Sequence, residues 1–466
     1  MKMDYDSIKD ELLAAVDSAL KYAKTLDPEA EFEVFVYFNN SMEAEIEQGV
    51  VTAKDGAIAG NTVRAAIGNR VGFACASGVT TDRVKMSAKE AHEIASSVKV
   101  EDDKFEGFCD PSEPGREGEF DERILELGTD DLIGACVSMT KDAKTVDERA
   151  KIFSASASAS YGGYAIANTR GVLAATRFGD NNCSINVQAI KGEERRSAFS
   201  LDIARNRLFE IEGLGQDAAE KAVDLLGAKK LDYTGKMKTI WRPIPAAMYI
   251  QASLGQSALG RPVVEGISPL SDMMGDTIAH EALTIVDDGQ KPESLGTKAI
   301  DHEGHGQMRN VIVEQGVLKG FLFDNYWARA FGVESTGNCT RGGGPIAGGT
   351  PYEYSVGVAV KHLMVSPGEQ SQEDIIDSVD GKGLVIDGFP LGIFHTNVAT
   401  GEFSVVANAV YLVENGELKG SVQPVSVSGD FYQGLKNIAA IGNDIEVLPW
   451  AIENPTLAFD DFTVVG

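Results

Sequence analysis

The sequence lacks three things: a long apolar run, paired cysteine motifs and any strongly basic stretch. No segment approaches the roughly 18–20 apolar residues that span a bilayer, which argues against a transmembrane protein. The opening Met1-Lys2-Met3-Asp4-Tyr5-Asp6-Ser7 runs directly into a polar helical pattern, so no secretory leader is expected. The five cysteines, Cys75, Cys109, Cys136, Cys183 and Cys339, show no C-x-x-C spacing. An odd, scattered set suits reduced, mostly buried thiols and a cytoplasmic location. Positive charge is scarce: 42 basic residues face 70 acidic ones, for a formal charge of −28. Such a surface repels nucleic-acid phosphates, and the basic run Lys191–Arg196 is cancelled by Glu193 and Glu194 within it. Direct nucleic-acid binding is therefore not expected, and an acid excess also suits a cytosol of high salt. Proline is sparse at 15 against 50 glycines, which favours tight turns and close backbone contacts over a disordered chain.

What is present is an ordinary globular composition, 43% hydrophobic, on a chain long enough for two to four domains. Ile8, Leu12, Leu13, Val16, Leu20 and Ala23 recur at helical spacing over 5–25. Alternation then predicts strands at Glu31–Asn39, Met42–Val50, Thr62–Ile67 and Val71–Ala76, with a turn at Gly68-Asn69, before a helix at Thr81–Val98. This α-β-β-β-β-α block, 1–105, reads as one domain, and the acidic, Pro- and Gly-bearing 101–122 reads as a linker. A second α+β block, 123–230, opens with a helix near Thr129–Asp142 capped by Thr129 or Asp130. It continues with the alternating segment 152–164 and strands near 164–167, 172–178, 183–191 and 196–203, followed by a helix at Gly215–Leu226. Ser154, Ser156, Ser158 and Ser160 alternate with apolar residues there, so they share one sheet face rather than form a catalytic group.

The third region, 237–466, repeats one hairpin sequence. Val311–Gly320 (VIVEQGVLKG) returns at Tyr411–Gly420 (YLVENGELKG), each with a glycine suited to a two-residue turn. The fold class expected is α+β: N-terminal α/β sandwich-like domains, then a C-terminal β-rich domain with a largely antiparallel sheet or partly closed barrel.

Candidate chemistry is thin. His280-Glu281 begins like a zincin helix, but position 284 is Thr. His302 and His305 stand at i, i+3 and could chelate a metal on a helix; Gly304 and Gly306 favour a solvated polar loop instead. His92, beside Glu90 and Glu93, reads as surface. Cys339 lies in a glycine-bearing loop with only Arg341 nearby to activate it. Gly342–Gly349 is glycine-rich but lacks the Lys-Ser/Thr ending of a phosphate loop and reads as a close-packing loop.

Several segments together resemble the TldD/PmbA family. They are Asp301-His302-Glu303-Gly304, Gln307-Met308-Arg309, the first hairpin, Phe321–Arg329, Ser335-Thr336-Gly337-Asn338, Thr400–Ser404, the second hairpin and Leu435–Asp444. Ile46-Glu47-Gln48-Gly49 and Asn69–Ala74 fit the family's first domain, so the resemblance spans essentially the whole chain. It implies two branches. TldD-type subunits resemble zinc peptidases with H-E-x-x-x-H and a distant cysteine as ligands and the glutamate as general base; PmbA (TldE) subunits lack these and pair with TldD. Ligands five residues apart lie about 140° apart on a regular helix, so such a site needs a distorted one. The matching helix here is expected over Pro245–Ser257, placing the motif at Gln251-Ala252-Ser253-Leu254-Gly255-Gln256. Gln251 and Gln256 then stand where ligands would be and Ala252 where the base would be. No H-E-x-x-x-H occurs in the chain, and no cysteine follows Asp444.

The resemblance thus implies a PmbA/TldE-like subunit without catalytic residues or metal of its own. Zinc is expected in a TldD-like paralogue partnering it as a heterodimer, with self-pairing as the alternative. The implied substrates are unfolded peptides, including peptide-antibiotic precursors and antitoxins, and a gyrase-modulator role would be indirect. Two rival readings are an independent metal hydrolase using His302 and His305, and a non-catalytic homodimeric peptide-binding protein.

Overall fold

The computed structural model describes residues 3–342, 349–449 and 451–466, the side chain of residue 461 excepted. The N-terminal half is built on α1 (Ile8–Leu26), β1 (Glu31–Glu47), β2 (Val50–Ile67), β3 (Arg70–Ser77) and α2 (Thr81–Ser97). It continues with α3 (Thr129–Val146), β4 (Ala150–Asn168), β5 (Leu173–Lys191), β6 (Glu194–Ala204) and α4 (Leu214–Asp224). The six strands form one antiparallel sheet in the order β3-β2-β1-β4-β5-β6. Tyr37 on β1 faces Tyr164 on β4, so the blocks 1–105 and 123–230 are joined through a shared sheet.

The first block has three strands, not the four expected. The two strands expected at Glu31–Asn39 and Met42–Val50 are one: Asn40 and Ser41 continue β1, because β2 and β4 pair with them from both sides. Two ladders outweigh local turn preference. The turn sits at Gln48-Gly49, both with positive φ. The α3 cap also differs from expectation: it is Gly128, whose N–H donates to Asp131 Oδ2 at 2.9 Å.

Period-2 alternation decides what each sheet face meets. Phe32, Val34, Val36 and Phe38 pack under α1 and α2, and Met42, Ala44 and Ile46 pack under α3 and α4. All four long helices therefore cover one face. The other face carries Glu33, Phe35 and Tyr37, and turns toward the C-terminal region through Tyr164, Ile166, Ile300 and Tyr352. The serine row lies on this second face as a cross-strand ladder: Ser156 Oγ is 3.0 Å from Ser184 Oγ, and Asn182 donates to Ser158 at 2.7 Å. The expected linker is a packed strap. Gly115 N–H donates to Ala299 O and Glu119 N–H to Pro292 O, both at 2.7 Å.

The C-terminal half begins with β7 (Thr234–Trp241), α5 (Pro243–Ala252), α6 (Leu254–Ser257) and α7 (Gly260–Val264). Next come β8 (Ile285–Asp288), β9 (Arg309–Glu314), β10 (Val317–Leu318), α8 (Asn325–Phe331), β11 (Cys339–Arg341), β12 (Val356–Val358), β13 (Leu363–Val365) and β14 (Lys382–Ile386). The chain finishes with β15 (Glu402–Ala407), β16 (Val410–Glu414), β17 (Glu417–Val422), β18 (Val425–Asp430), β19 (Ile438–Ile441), β20 (Glu446–Leu448), β21 (Ile452–Asn454) and β22 (Leu457–Val465). Eight strands, ordered β15-β18-β22-β7-β14-β16-β17 with β19 also on β22, curl into a half-barrel. A six-stranded sheet, β10-β9-β8-β13-β21-β20, stands against it. Helix α5 is buried all round in the shared core. Its Tyr249 ring sits 4.9 Å from Phe459 and 5.1 Å from Phe431.

The two look-alike hairpins belong to different sheets, β9–β10 to the six-stranded one and β16–β17 to the half-barrel. Their turns match closely: φ is 49° and 78° at Gln315-Gly316, and 48° and 80° at Asn415-Gly416. The likeness is shared turn chemistry, with positive φ at both central positions. A Cβ on Gly316 would also collide with the Ala279 carbonyl, and one on Gly416 would meet Asp377 O at 2.8 Å. Gly316→Ala and Gly416→Ala should each cost about 1–3 kcal/mol. Denaturation midpoints should show the larger loss at Gly316, where the clash is closer.

A candidate cleft above a buried charge network

Glu33 and Arg64 are direct cross-strand neighbours on β1 and β2, on the face turned toward the C-terminal half. Arg64 grips Glu33 with two hydrogen bonds, Nε to Oε1 at 2.8 Å and Nη2 to Oε2 at 2.6 Å. Its Nη2 also donates to Glu303 Oε1 at 2.8 Å, while Arg341 Nη2 donates to Glu33 Oε1 at 2.6 Å. Two carboxylates and two guanidiniums from β1, β2, the 301–304 loop and β11 thus interlock out of solvent. Aromatic faces complete the shell, Phe108 under Arg64 and Phe35 under Arg341.

The loop carrying Glu303 is held by Asp301. Its Oδ1 accepts the N–H groups of Glu303 and His305 at 2.9 and 3.0 Å, and its Oδ2 accepts that of Cys339 at 2.9 Å. Burial opposes ionisation of Glu303, but the Arg64 charge and hydrogen bond outweigh it and hold the carboxyl below its usual range. Burial, then the neighbouring Glu303, pushes Asp324 the other way, up to about 7.

Arg64, Glu303 and Asp324 form part of the floor of a cleft of about 650 Å3, walled by Trp327, Gln256 and Val358 among others. It lies where β2, β3 and the strap meet the C-terminal half. Its size and mixed lining suit a ligand-binding site.

The residues singled out by sequence are dispersed. The expected helix is interrupted: α5 ends at Ala252, Ser253 takes φ −91° and ψ −92°, and α6 starts at Leu254. Ser253 Oγ donates to Tyr249 O at 2.7 Å. Gln251 is buried against Gly255, its Oε1 without a hydrogen-bond partner among the described residues, and Ala252 is buried in the core. Of the three, Gln256 lines the cleft. Amide oxygens are poor zinc donors beside imidazole or thiolate. Among the described residues no group of three or more His, Cys, Asp or Glu side chains gathers as a metal ion requires. The donor set at the motif positions does not fit zinc.

The 302–306 segment is a loop, as its glycines suggest, but it is packed rather than solvated. The His302 ring lies against Tyr164 and Phe35, its Nδ1 accepts the Arg341 N–H at 2.8 Å, and burial holds its pKa well below the ordinary value. His305 Nδ1 sits 2.9 Å from the carbonyl of Gly306. Cys339 is buried in a strand, not in a flexible loop, and burial followed by the Glu303 charge pushes its thiol far above the usual range. It is no ready nucleophile. His92 is half-buried, with Nε2 3.3 Å from Asp27. The glycine-rich 343–348 lies outside the described residues.

Sequence reasoning missed Glu33, Arg64 and Asp324. A signal existed for the first two: each is a charged residue flanked by apolar ones in an alternating strand, Phe32-Glu33-Val34 and Val63-Arg64-Ala65.

Residues 122–226 match the PmbA/TldA metallopeptidase central domain and residues 234–466 the C-terminal domain of that family. The chain belongs to the TldD/PmbA family. It is 25% identical over 455 residues to a metalloprotease TldD homolog of Buchnera aphidicola, covering 90% of this chain and 89% of that one. It is 27% identical over 326 residues to metalloprotease PmbA of Escherichia coli O157:H7, covering 69% and 67%. The crystal structure of TldE from Thermococcus kodakarensis superposes with a TM-score of 0.88 at 25% identity, over 97% of this chain and all of that one.

Removing one member of the network strands its partners. Glu33→Gln should lower stability by about 3–5 kcal/mol, read from denaturant unfolding. Asp324 gives a separate signature. Its raised pKa means the folded state holds the proton more tightly than the unfolded chain, so its contribution is full below about pH 4. That contribution is lost as pH rises toward 7. Asp324→Asn should flatten that part of the stability–pH profile, measured by melting temperature from pH 4 to 8.

Proposed function

We propose that this chain is the PmbA/TldE-like, non-catalytic subunit of a TldD/TldE-type peptidase. It would supply cleft wall and peptide-contacting surface while a TldD-like paralogue supplies zinc. One observation carries the reading: the helix keeps the break that H-E-x-x-x-H geometry demands, yet the positions flanking it hold Gln251, Ala252 and Gln256. A regular helix would have been cheaper in backbone hydrogen bonds, so the break is retained framework rather than a device for metal binding here.

The substrate class is the unfolded peptide, which suits a cleft of about 650 Å3 with an aromatic wall at Trp327 and Phe105. The described structure has no helix long and apolar enough to cross a membrane. Five unbridged cysteines support a reducing, cytoplasmic setting. The independent hydrolase reading is weakened by His302, whose Nδ1 is committed to the Arg341 N–H. A homodimer serving only to bind peptide remains the rival.

Cleavage of a denatured polypeptide should be absent with this chain alone, zinc added or not, and should appear on mixing with a zinc-bearing relative from the same cell. Hydrolysis by this chain alone in metal-free buffer would overturn the reading.

A further inference from the structure

On a chain of formal charge −28 one cavity has the opposite character. Its volume is about 310 Å3, and Lys298, Lys361 and Arg341 line it together with His302 and Thr340. No aspartate or glutamate is among its described lining residues. Neither lysine has a carboxylate within ion-pair distance among the described residues. The Lys298 ammonium rests 5.7 Å from the Phe178 ring centroid, and Lys361 Nζ donates to the Cys339 carbonyl at 2.5 Å. Arg341 is only 4% exposed and gives Nη2 to Glu33, and its buried Nη1 has no hydrogen-bond partner among the described residues. His302 accepts at Nδ1, which places the proton of its neutral ring on Nε2 as a further donor.

The acids nearest in space relieve this excess only in part: Asp301 and Asp287 both act on Lys361, and Asp287 Oδ1 accepts the Lys361 backbone N–H at 2.7 Å. Asp301 is turned to three backbone N–H groups, and Glu33 is shared between two arginines. Burial first, then the charges of Arg205 and Lys361, drive the Lys298 ammonium down to about 7, and Asp180 and Glu117 offset this only in part. Desolvated cations with open donors are stabilised by an anion that brings its own acceptors. The remaining walls include Leu295, Pro351, Val360 and Ala451, which suit an organic body more than a bare inorganic ion.

We propose that this cavity binds a small carboxylate anion, held between Lys298 and Lys361. The carboxylate belongs either to a free small acid or to the C-terminus of a short peptide. The assignment stands on the cavity and does not depend on the subunit role above.

Titration calorimetry on the full chain at pH 6.5 and low salt tests it, with succinate, acetyl-Ala-Ala, its C-terminal amide and inorganic phosphate as probes. Binding of succinate alone, or of acetyl-Ala-Ala, with the amide inert, is the expected result and identifies the source. Lys298→Met or Lys361→Met should weaken that binding by about tenfold or more. Lys361→Arg should retain it, and Lys54→Met, on the exposed part of β2, should leave it unchanged. Failure of both acids to bind, equal binding of acid and amide, phosphate binding alone, or unaltered affinity in both methionine variants would each overturn the proposal. The acid–amide comparison needs no variant, so it stands even where a substitution prevents folding. A negative outcome leaves the peptidase-assembly assay untouched, since that assay reads cleavage with a partner.

Discussion

Glu33 is the residue on which the two halves of the molecule depend. One carboxylate, fully buried on β1, accepts from Arg64 of the neighbouring strand and from Arg341 of the C-terminal half. Arg64 extends the chain of charges to Glu303. None of these four could sit out of water alone, since an uncompensated buried ion is far costlier than its pair. They are buried because the halves meet, and the halves meet in one geometry because the four must find one another. That mutual dependence sets the cleft, whose floor includes two members of the network, Arg64 and Glu303.

Much of the architecture was legible from periodicity. The four long helices, the turn chemistry of the two hairpins and the β-rich C-terminal half follow from 3.6- and 2-residue patterns and from Asn-Gly and Gln-Gly turns. What failed was locality. The break expected between Asn39 and Met42 is overruled by two flanking ladders, and nothing in a single sequence reveals that β1 and β4 are neighbours. The hairpin likeness was a true signal of turn type and said nothing of sheet membership.

The site was legible only in part. The helix expected at 245–257 and the positions Gln251, Ala252 and Gln256 are placed by resemblance, and the need for a distorted helix could be argued from angular spacing alone. The structure puts the break at Ser253 and sends Gln251 and Gln256 to different surroundings, one into the core and one to the cleft. The charge network needed three-dimensional information, because its members are separated by up to 308 positions along the chain. Cys339 and His302 misled for the opposite reason. They are reactive residue types in glycine-bearing segments, but burial withholds the thiolate from Cys339, and His302 is packed between Tyr164 and Phe35 with its Nδ1 already accepting the Arg341 N–H.

The shared sheet has a consequence in time as well as space. Strand β1 ends at Glu47, and its partner β4 begins only at Ala150, roughly 100 residues later. At about 5–20 residues per second, a ribosome leaves one edge of β1 without its ladder for some five to twenty seconds. Throughout that interval the nascent chain displays an unpaired strand bearing Glu33 without Arg341 or Glu303. The growing polypeptide is therefore most prone to wrong pairing before its middle third is made, and that window closes when β4 docks.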